Sequence, residues 1–390
     1  MHPELNPFAP GSGLTPPHLV GRQAEVDAFD LTVARSRRRM PSRGIVLHGL
    51  RGVGKTVLLN QFREQAERAE WFTVEIEGRT TESGRQSARQ KLGRAMLLAA
   101  HKLHRRRRTE QVVNALRSIK SFSLSLGVAS IELGVEPAQG RADSGEIEID
   151  LEEVLEDLAP ALTSADSAFG LFIDEMQDID GELLSALLAA QHRAGQKGWP
   201  FYIVGAGLPA LPSTLSAARS YAERLFDYRE IGALDPVAAA DALAVPAGRH
   251  GVAFTAPALE ILVEASGGYP YFLQTFGKSA WDAALDRTIT EEDATLAVVE
   301  GTAALDMGFY PARWDRATRA ERNYLRAMAA DGDVGSRTAT VAERLVLPAT
   351  SLSPARQSLI DKGVIYMPER GRVAFTVPGM AAFIHRQYAE

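Results

Sequence analysis

The stretch Gly44-Ile45-Val46-Leu47-His48-Gly49 followed by Leu50-Arg51-Gly52-Val53-Gly54-Lys55-Thr56 constrains the fold more than any other part of the chain. A short apolar run ends in a glycine-rich loop, and a helical pattern from Thr56 to Arg68 begins at once. Residues 49–56 have the spacing G-x-x-x-x-G-K-T, which between a strand and a helix forms a phosphate-binding loop. Glycines let backbone N–H groups curl around anionic oxygens, and the new helix points the positive end of its dipole at them. Lys55 then reaches the outer phosphates of a nucleotide, and Thr56 offers a hydroxyl to Mg²⁺. Gly49, Arg51, Gly52, Val53, Gly54, Lys55, Thr56 and Val57 are the candidate phosphate contacts. A second strand pattern at Trp71–Ile76 completes strand, helix, strand, the signal for a parallel sheet with helical crossovers.

The rest of the chain can be divided around this loop. At 390 residues, with 45% apolar and 24% charged residues, it is long enough for two or three domains and can bury a sizeable core. Residues 1–18 hold five prolines and predict an extended arm. Val26, Phe29 and Val33 mark one face of a helix. An insertion over about 79–150 is expected to contain a helix from Lys91 to Leu116. It then forms a β-hairpin, because Ser121–Leu126 and Ser130–Val135 alternate with period two around Gly127. Leu151–Leu162 predicts an acidic amphipathic helix. Phe169–Asp174 is an apolar strand pattern that ends in Asp174-Glu175, and Gly181–Gly195 and Phe201–Gly205 continue the alternation of helix and strand. Strands are expected to stop after Tyr228. Short helices punctuated by prolines fill about 235–305, and 315–390 reads as three helices and a hairpin.

Asp174 at the end of a buried strand is placed to hold the Mg²⁺ shell, and Glu175 to polarise an attacking water. Gln177 and Asp178 read as turn residues. The chain has no cysteine, which removes disulfides, thiolate nucleophiles and Cys-based zinc sites, and its eight histidines show no paired ligand spacing. No apolar run approaches the roughly 20 residues needed to span a bilayer, and the expected location is the cytoplasm, without membrane contact.

The loop at Gly49–Thr56, the strand end Asp174-Glu175, the upstream Leu19-Val20-Gly21-Arg22 with Glu25, and the helical and terminal blocks resemble the AAA+ ATPases of the replication-initiator and STAND-like, archaeal-type group. The resemblance implies an α/β P-loop NTPase domain, a parallel sheet with helices on both faces, at 19–232. A helical lid at 233–314 and a winged helix-turn-helix domain at 315–390 would follow. It further implies that Val20, Gly21 and Arg22 lie over the adenine and that Pro270, in Gly267-Gly268-Tyr269-Pro270, contacts the nucleotide from the lid. Arg224, or less favourably Arg219, stands where an arginine finger completes a neighbour's site, which would make the ATP state a homo-oligomer. The sequence departs from the group at Gly205-Ala206-Gly207, where a polar residue normally senses the γ-phosphate.

Charge is segregated toward the C-terminus. The molecule carries a net charge of −6, yet Arg316–Glu390 holds 11 Lys and Arg against 7 Asp and Glu, a balance of +4. Ser353, Arg356, Gln357 and Lys362 are candidates for a major groove, and Arg370 and Arg372 for the backbone of duplex DNA. The run Arg105–Arg108 reads as a solvated helix face. The expected function is therefore Mg²⁺-dependent ATP binding with slow hydrolysis, used as a conformational switch. Its output is either duplex DNA or a protein partner, with the winged helix a regulatory module in the second case.

Overall fold

The computed structural model describes residues 1–11, 13–79, 82–107, 109–128 and 135–387, with the backbone alone at 82–87. Five parallel strands form the central sheet: β1 (Gly44–His48), β2 (Phe72–Glu77), β3 (Phe169–Asp174), β4 (Phe201–Gly207) and β5 (Phe226–Glu230). Their order is β2-β3-β4-β1-β5, with Ile45 opposite Val204 and Asp227, and Leu171 opposite Val74 and Ile203. The near-continuous apolar sequences of β1, β3 and β4 suit strands covered on both faces.

On one face lie α1 (Gln23–Arg37) and α2 (Lys55–Arg68). Phe29 stacks on Phe62 with ring centres 4.9 Å apart, and Phe172 of β3 meets Phe29 edge-on. The other face is covered by α3 (Glu82–Arg106), α4 (Glu110–Ser125), α5 (Ile147–Ser164) and α6 (Gly181–Lys197). The short helices α7 (Leu211–Ala218) and α8 (Ala222–Leu225) lead from β4 into β5.

Three expectations are corrected. The helix drawn from Lys91 to Leu116 is two helices, broken before Thr109, whose side chain accepts from Val112 N and caps α4. The first strand of the expected hairpin, Ser121–Leu126, is instead the end of α4 and the residue after it; most of the second, 130–134, lies outside the described residues. Helical spacing wins because Val112, Ala115, Leu116, Ile119 and Phe122 make one buried stripe, while Leu124 points outward. The serines tolerate this, since Ser121 and Ser123 donate back to the carbonyls of Arg117 and Ile119. Finally, β5 is a fifth strand of the sheet, and the alternating polar sequence Phe226-Asp227-Tyr228-Arg229-Glu230 fits its edge position.

Four helices follow: α9 (Pro236–Gly248), α10 (Ala256–Ser266), α11 (Pro270–Ala283) and α12 (Glu291–Gly308). Within this block β6 (Ala253–Phe254) pairs in parallel with β7 (Thr288–Ile289). The proline-rich N-terminal arm lies on these helices rather than on the sheet. Phe8 is buried, its ring so close to Gly277 that a Cβ there would come within 2.8 Å of it. Trp281 Nε1 donates to His2 O at 3.1 Å.

After α13 (Pro311–Trp314), the last block contains α14 (Arg319–Ala329), β8 (Ser336–Arg337), α15 (Thr338–Leu345), α16 (Ser353–Asp361), β9 (Ile365–Tyr366), β10 (Arg372–Phe375) and α17 (Met380–Arg386). Its three strands are antiparallel in the order β8-β10-β9. Tyr310 anchors the block to the four-helix block: its ring stacks on Phe383 at 5.0 Å and its hydroxyl donates to Pro378 O at 3.2 Å. Among the described residues no helix is long and apolar enough to cross a membrane.

Candidate functional site

The carboxyl ends of β1 and β3 open into a cavity of about 350 Å³ bounded by the glycine loop, the N-terminal arm and the four-helix block. The loop owes its path to its glycines. A Cβ at Gly49 would come within 2.1 Å of Ile231 O, and Gly52 and Gly54 take φ of +85° and +94°, the left-handed region. Gly54 is the N-cap of α2, so the first N–H groups of that helix face the cavity. Lys55 folds back over the loop, its Nζ donating to Gly49 O at 3.0 Å and Leu50 O at 2.7 Å. Burial pushes this ammonium down to about 8, against the pull of Glu175 and Asp174.

Thr56 Oγ1 donates to Asp174 Oδ2 at 2.8 Å, while Asp174 Oδ1 accepts from Glu175 N at 2.9 Å. Burial raises the Asp174 carboxyl above its ordinary range. A hydroxyl and a carboxylate meeting at a helix start are hard oxygen donors, the type Mg²⁺ takes along with substrate phosphates and water. Among the described residues no group of three or more His, Asp or Glu side chains could hold a metal by itself. The donor set therefore fits Mg²⁺ delivered with a nucleotide, with Thr56 and Asp174 as the protein's share.

Glu175 follows the strand end with φ +46°, a left-handed conformation unfavourable for a side chain. Its Oε1 is 2.6 Å from Arg51 Nη1, and its Oε2 accepts from Gln177 Nε2 at 2.7 Å. Gln177 Oε1 accepts in turn from Leu208 N at 3.1 Å, tying the carboxylate to the tip of β4. This explains the missing polar residue at Gly205-Ala206-Gly207. A Cβ at Gly207 would come within 2.3 Å of Gln177 Oε1, and one at Gly205 within 2.5 Å of Met176 Sδ. The turn that carries Glu175, Met176 and Gln177 thus leaves no room for a side chain at positions 205 and 207. Asp178, beside Glu175 and half-buried, is pushed up to about 6, first by burial and then by that neighbouring charge.

Val20, Arg22, Val53, Val57 and Pro270 all line the cavity, and Arg22 Nη2 donates to Val53 O at 3.3 Å and also to Gly232 O. Gly21 has φ +66° and packs against Leu234 and Ala238. Arg51 lines the cavity but is not free to meet a phosphate in this arrangement. Its side chain is held by Glu175, its N–H donates to Thr376 O at 3.0 Å in the last block, and its carbonyl accepts from the Tyr269 hydroxyl.

Other candidates lie away from the cavity. Arg224, on α8, is exposed at the end of β5 remote from the loop, so it cannot serve its own site. Arg219 bonds Ser185 and pairs with Glu148. Lys362 pairs at 2.6 Å with the buried Glu321, which removes it from any groove-reading surface. Arg370 is exposed, and Arg372 Nη2 donates to Val334 O at 3.4 Å. Sequence reasoning missed three parts of the cavity: the arm from Ala9 to His18, the aromatic pair Tyr271 and Phe309, and Arg313. No local pattern marks them, because each arrives through tertiary packing.

Residues 18–204 match the family model of the AAA ATPase domain, and residues 307–384 match a domain of unknown function (DUF8462). No curated protein matches the sequence. Among solved structures, a Walker-type ATPase of Pyrococcus abyssi has a TM-score of 0.60 at 17% identity, covering 94% of this chain and 96% of that one. The Orc1 protein of Aeropyrum pernix, solved in complex with DNA, has a TM-score of 0.47 at 14% identity over 95% and 94% of the two chains. The RuvB Holliday junction branch migration motor of Thermotoga maritima has a TM-score of 0.45 at 17% identity over 97% and 100%. The likeness to the Pyrococcus protein is one of fold. The glycine loop, the Thr56–Asp174 pair and strands β1 to β3 thus lie within the segment that matches the AAA ATPase domain model, and the fold is an α/β P-loop one.

Proposed function

We propose that this protein binds Mg²⁺-ATP in the cavity between loop and lid, hydrolyses it slowly, and uses the difference between ATP and ADP to reposition its C-terminal block. The observation that carries this reading is the convergence of Lys55, the Thr56–Asp174 pair and Glu175 on one cavity whose loop also touches the C-terminal block through Arg51 N and Thr376 O.

The α2 N-terminus and the loop N–H groups bind the inner phosphates, Lys55 neutralises the outer ones, and Val20, Gly21, Arg22 and Pro270 enclose the base and sugar. Thr56 and Asp174 would hold Mg²⁺, which when bound would supply positive charge to offset that developing on the phosphates. Glu175 accepts the proton of the attacking water as the bond from the γ-phosphorus to the bridging oxygen breaks, leaving ADP and phosphate. In the arrangement described here Arg51 holds that carboxylate, which supports slow basal turnover. Lys55→Ala is expected to lose triphosphate binding. Glu175→Gln is expected to retain binding and lose turnover by two orders of magnitude or more; normal turnover in that variant would sink the base assignment.

The helices α14 to α16 and the antiparallel strands β8, β9 and β10 support a winged-helix reading, with α17 a fourth helix beyond the expected three, and the exposed Arg370 between β9 and β10 supports duplex DNA as its ligand. Arg356 and Arg372 complete that surface. A second reading, a STAND-like switch with a protein partner, is supported by Lys362 being turned inward onto Glu321 and by the block's seat on the loop. Oligomerisation in the ATP state through Arg224 belongs to either. ATP turnover with and without duplex DNA, with Lys55→Ala as blank, separates them. Stimulation that disappears in Arg372→Ala supports DNA, and turnover indifferent to DNA supports the protein partner.

A further inference from the structure

Arg313 is a cation in the cavity with no charged partner of its own among the described residues. It sits on α13, the short helix between lid and C-terminal block, and lines the same cavity as Lys55, Thr56, Asp174 and Glu175. Its Nη1 donates to Phe309 O at 2.6 Å, and its guanidinium lies 4.6 Å from the centre of the Phe309 ring. Neither partner is an anion, and among the described residues no carboxylate lies within ion-pair distance of it. Burial lowers its pKa first, and then the nearby positive charges of Arg51 and Arg316. A guanidinium keeps its proton throughout the physiological range. A half-buried cation beside two others, open to a cavity, is therefore stabilised by an anionic ligand there.

Its place on the cavity wall specifies which part of the ligand that is. Phe309 stacks on Tyr271 at 4.7 Å, and Tyr271 N donates to Gly52 O at 3.3 Å. Arg313 thus enters on the Arg51–Gly52 side of the loop, the side on which Arg51 reaches Glu175. With the inner phosphates at the start of α2 and the attacking water at Glu175, the outermost phosphate falls on that side.

We propose that Arg313 binds the terminal phosphate of the triphosphate and makes the position of the C-terminal block depend on it. This rests on the nucleotide reading of the cavity. The residues around Arg313 carry the link. Trp314 O accepts from Arg322 Nε at 3.2 Å, the Arg322 guanidinium lies over the Trp314 ring at 5.2 Å, and Tyr310 packs on Phe383. A shift of α13 toward a phosphate moves both contacts, whereas a diphosphate leaves α13 where Phe309 holds it. Pro270 on the same cavity wall carries no charge, and the cation there comes from α13.

The test compares Arg313→Met and Arg313→Lys with the native chain, measuring displacement of a fluorescent ADP by ADP and by a non-hydrolysable ATP analogue. Arg313→Met is expected to weaken the analogue about tenfold and ADP less than about twofold, with Arg313→Lys in between. Equal weakening of both nucleotides, or no change in either, overturns the proposal. If Arg313→Met fails to fold, Arg313→Lys decides it by the same ratio of analogue to ADP, which a merely structural defect does not move. A native chain that binds neither nucleotide, or a Lys55→Ala variant that binds both as the native chain does, overturns the nucleotide reading itself, a result distinct from loss of the ratio.

Discussion

Lys55 and Asp178 are the two residues whose titration exposes the chemistry of the cavity. Burial pushes the native Lys55 ammonium down to about 8, whereas the unfolded side chain holds its proton to the ordinary value of 10.5. Between these values the unfolded chain binds more protons, so the protein without ligand gains stability as pH rises through that window. A polyphosphate supplies the missing anion and returns the proton. Nucleotide binding at about pH 8.5 is therefore expected to take up a proton, and less so at about pH 7, which calorimetry in buffers of different ionisation enthalpy reads directly. Asp178 has the opposite character. Its native carboxyl keeps its proton to about 6, above the unfolded value near 3.9, so the native state binds the extra proton in that window and stability falls as pH rises from about 4 to 6. Asp178→Asn is expected to raise the melting temperature at about pH 7 and leave it unchanged at about pH 4; equal gains at both would show that Asp178 is not desolvated.

At the scale of the element, α4 shows how a sequence pattern misleads. Phe122, Leu124 and Leu126 alternate as a strand would, but the apolar positions back to Val112 continue at helical spacing, and the longer pattern governs. The two structures make different demands on neighbouring side chains. In the helix Phe122 is fully buried and Leu124 is 40% exposed, whereas in a strand they would share a face. Phe122→Ala is expected to cost about 3 kcal/mol in chemical denaturation, and Leu124→Ala no more than about 0.5 kcal/mol. Comparable losses would restore the hairpin. β5 was illegible for a related reason: an edge strand exposed along one side needs no apolar run, so its sequence carries no strong signal.

At the scale of the molecule, three separate parts of the chain meet on one residue of the loop. Glu175 holds the Arg51 side chain, Thr376 of the last block accepts its N–H, and Tyr269 of the four-helix block donates to its carbonyl. Gly363 completes the contact, since a Cβ there would come within 3.0 Å of Arg51 Nη2. A triphosphate that draws the loop inward must disturb this junction. Hydrogen exchange over Gly363–Thr376 is expected to change on addition of an ATP analogue and to stay constant in Lys55→Ala; constancy in both would mean that the block does not follow the site.

The sequence by itself determined the loop, its flanking strand and helix, and the carboxylates at the end of β3. These depend on local rules: glycine's left-handed backbone, a helix N-terminus aimed at phosphate, and an apolar run buried on both faces. The tertiary structure alone decided that Gln177, not a residue of β4, stands beside Glu175, that Arg51 is paired rather than free, and that Arg313 enters from a helix far along the chain. Residues distant in sequence come together only when the sheet, the four-helix block and the last block bury their apolar faces against one another. Burial of that kind is nondirectional, so it leaves no spacing in the sequence from which such meetings could be read.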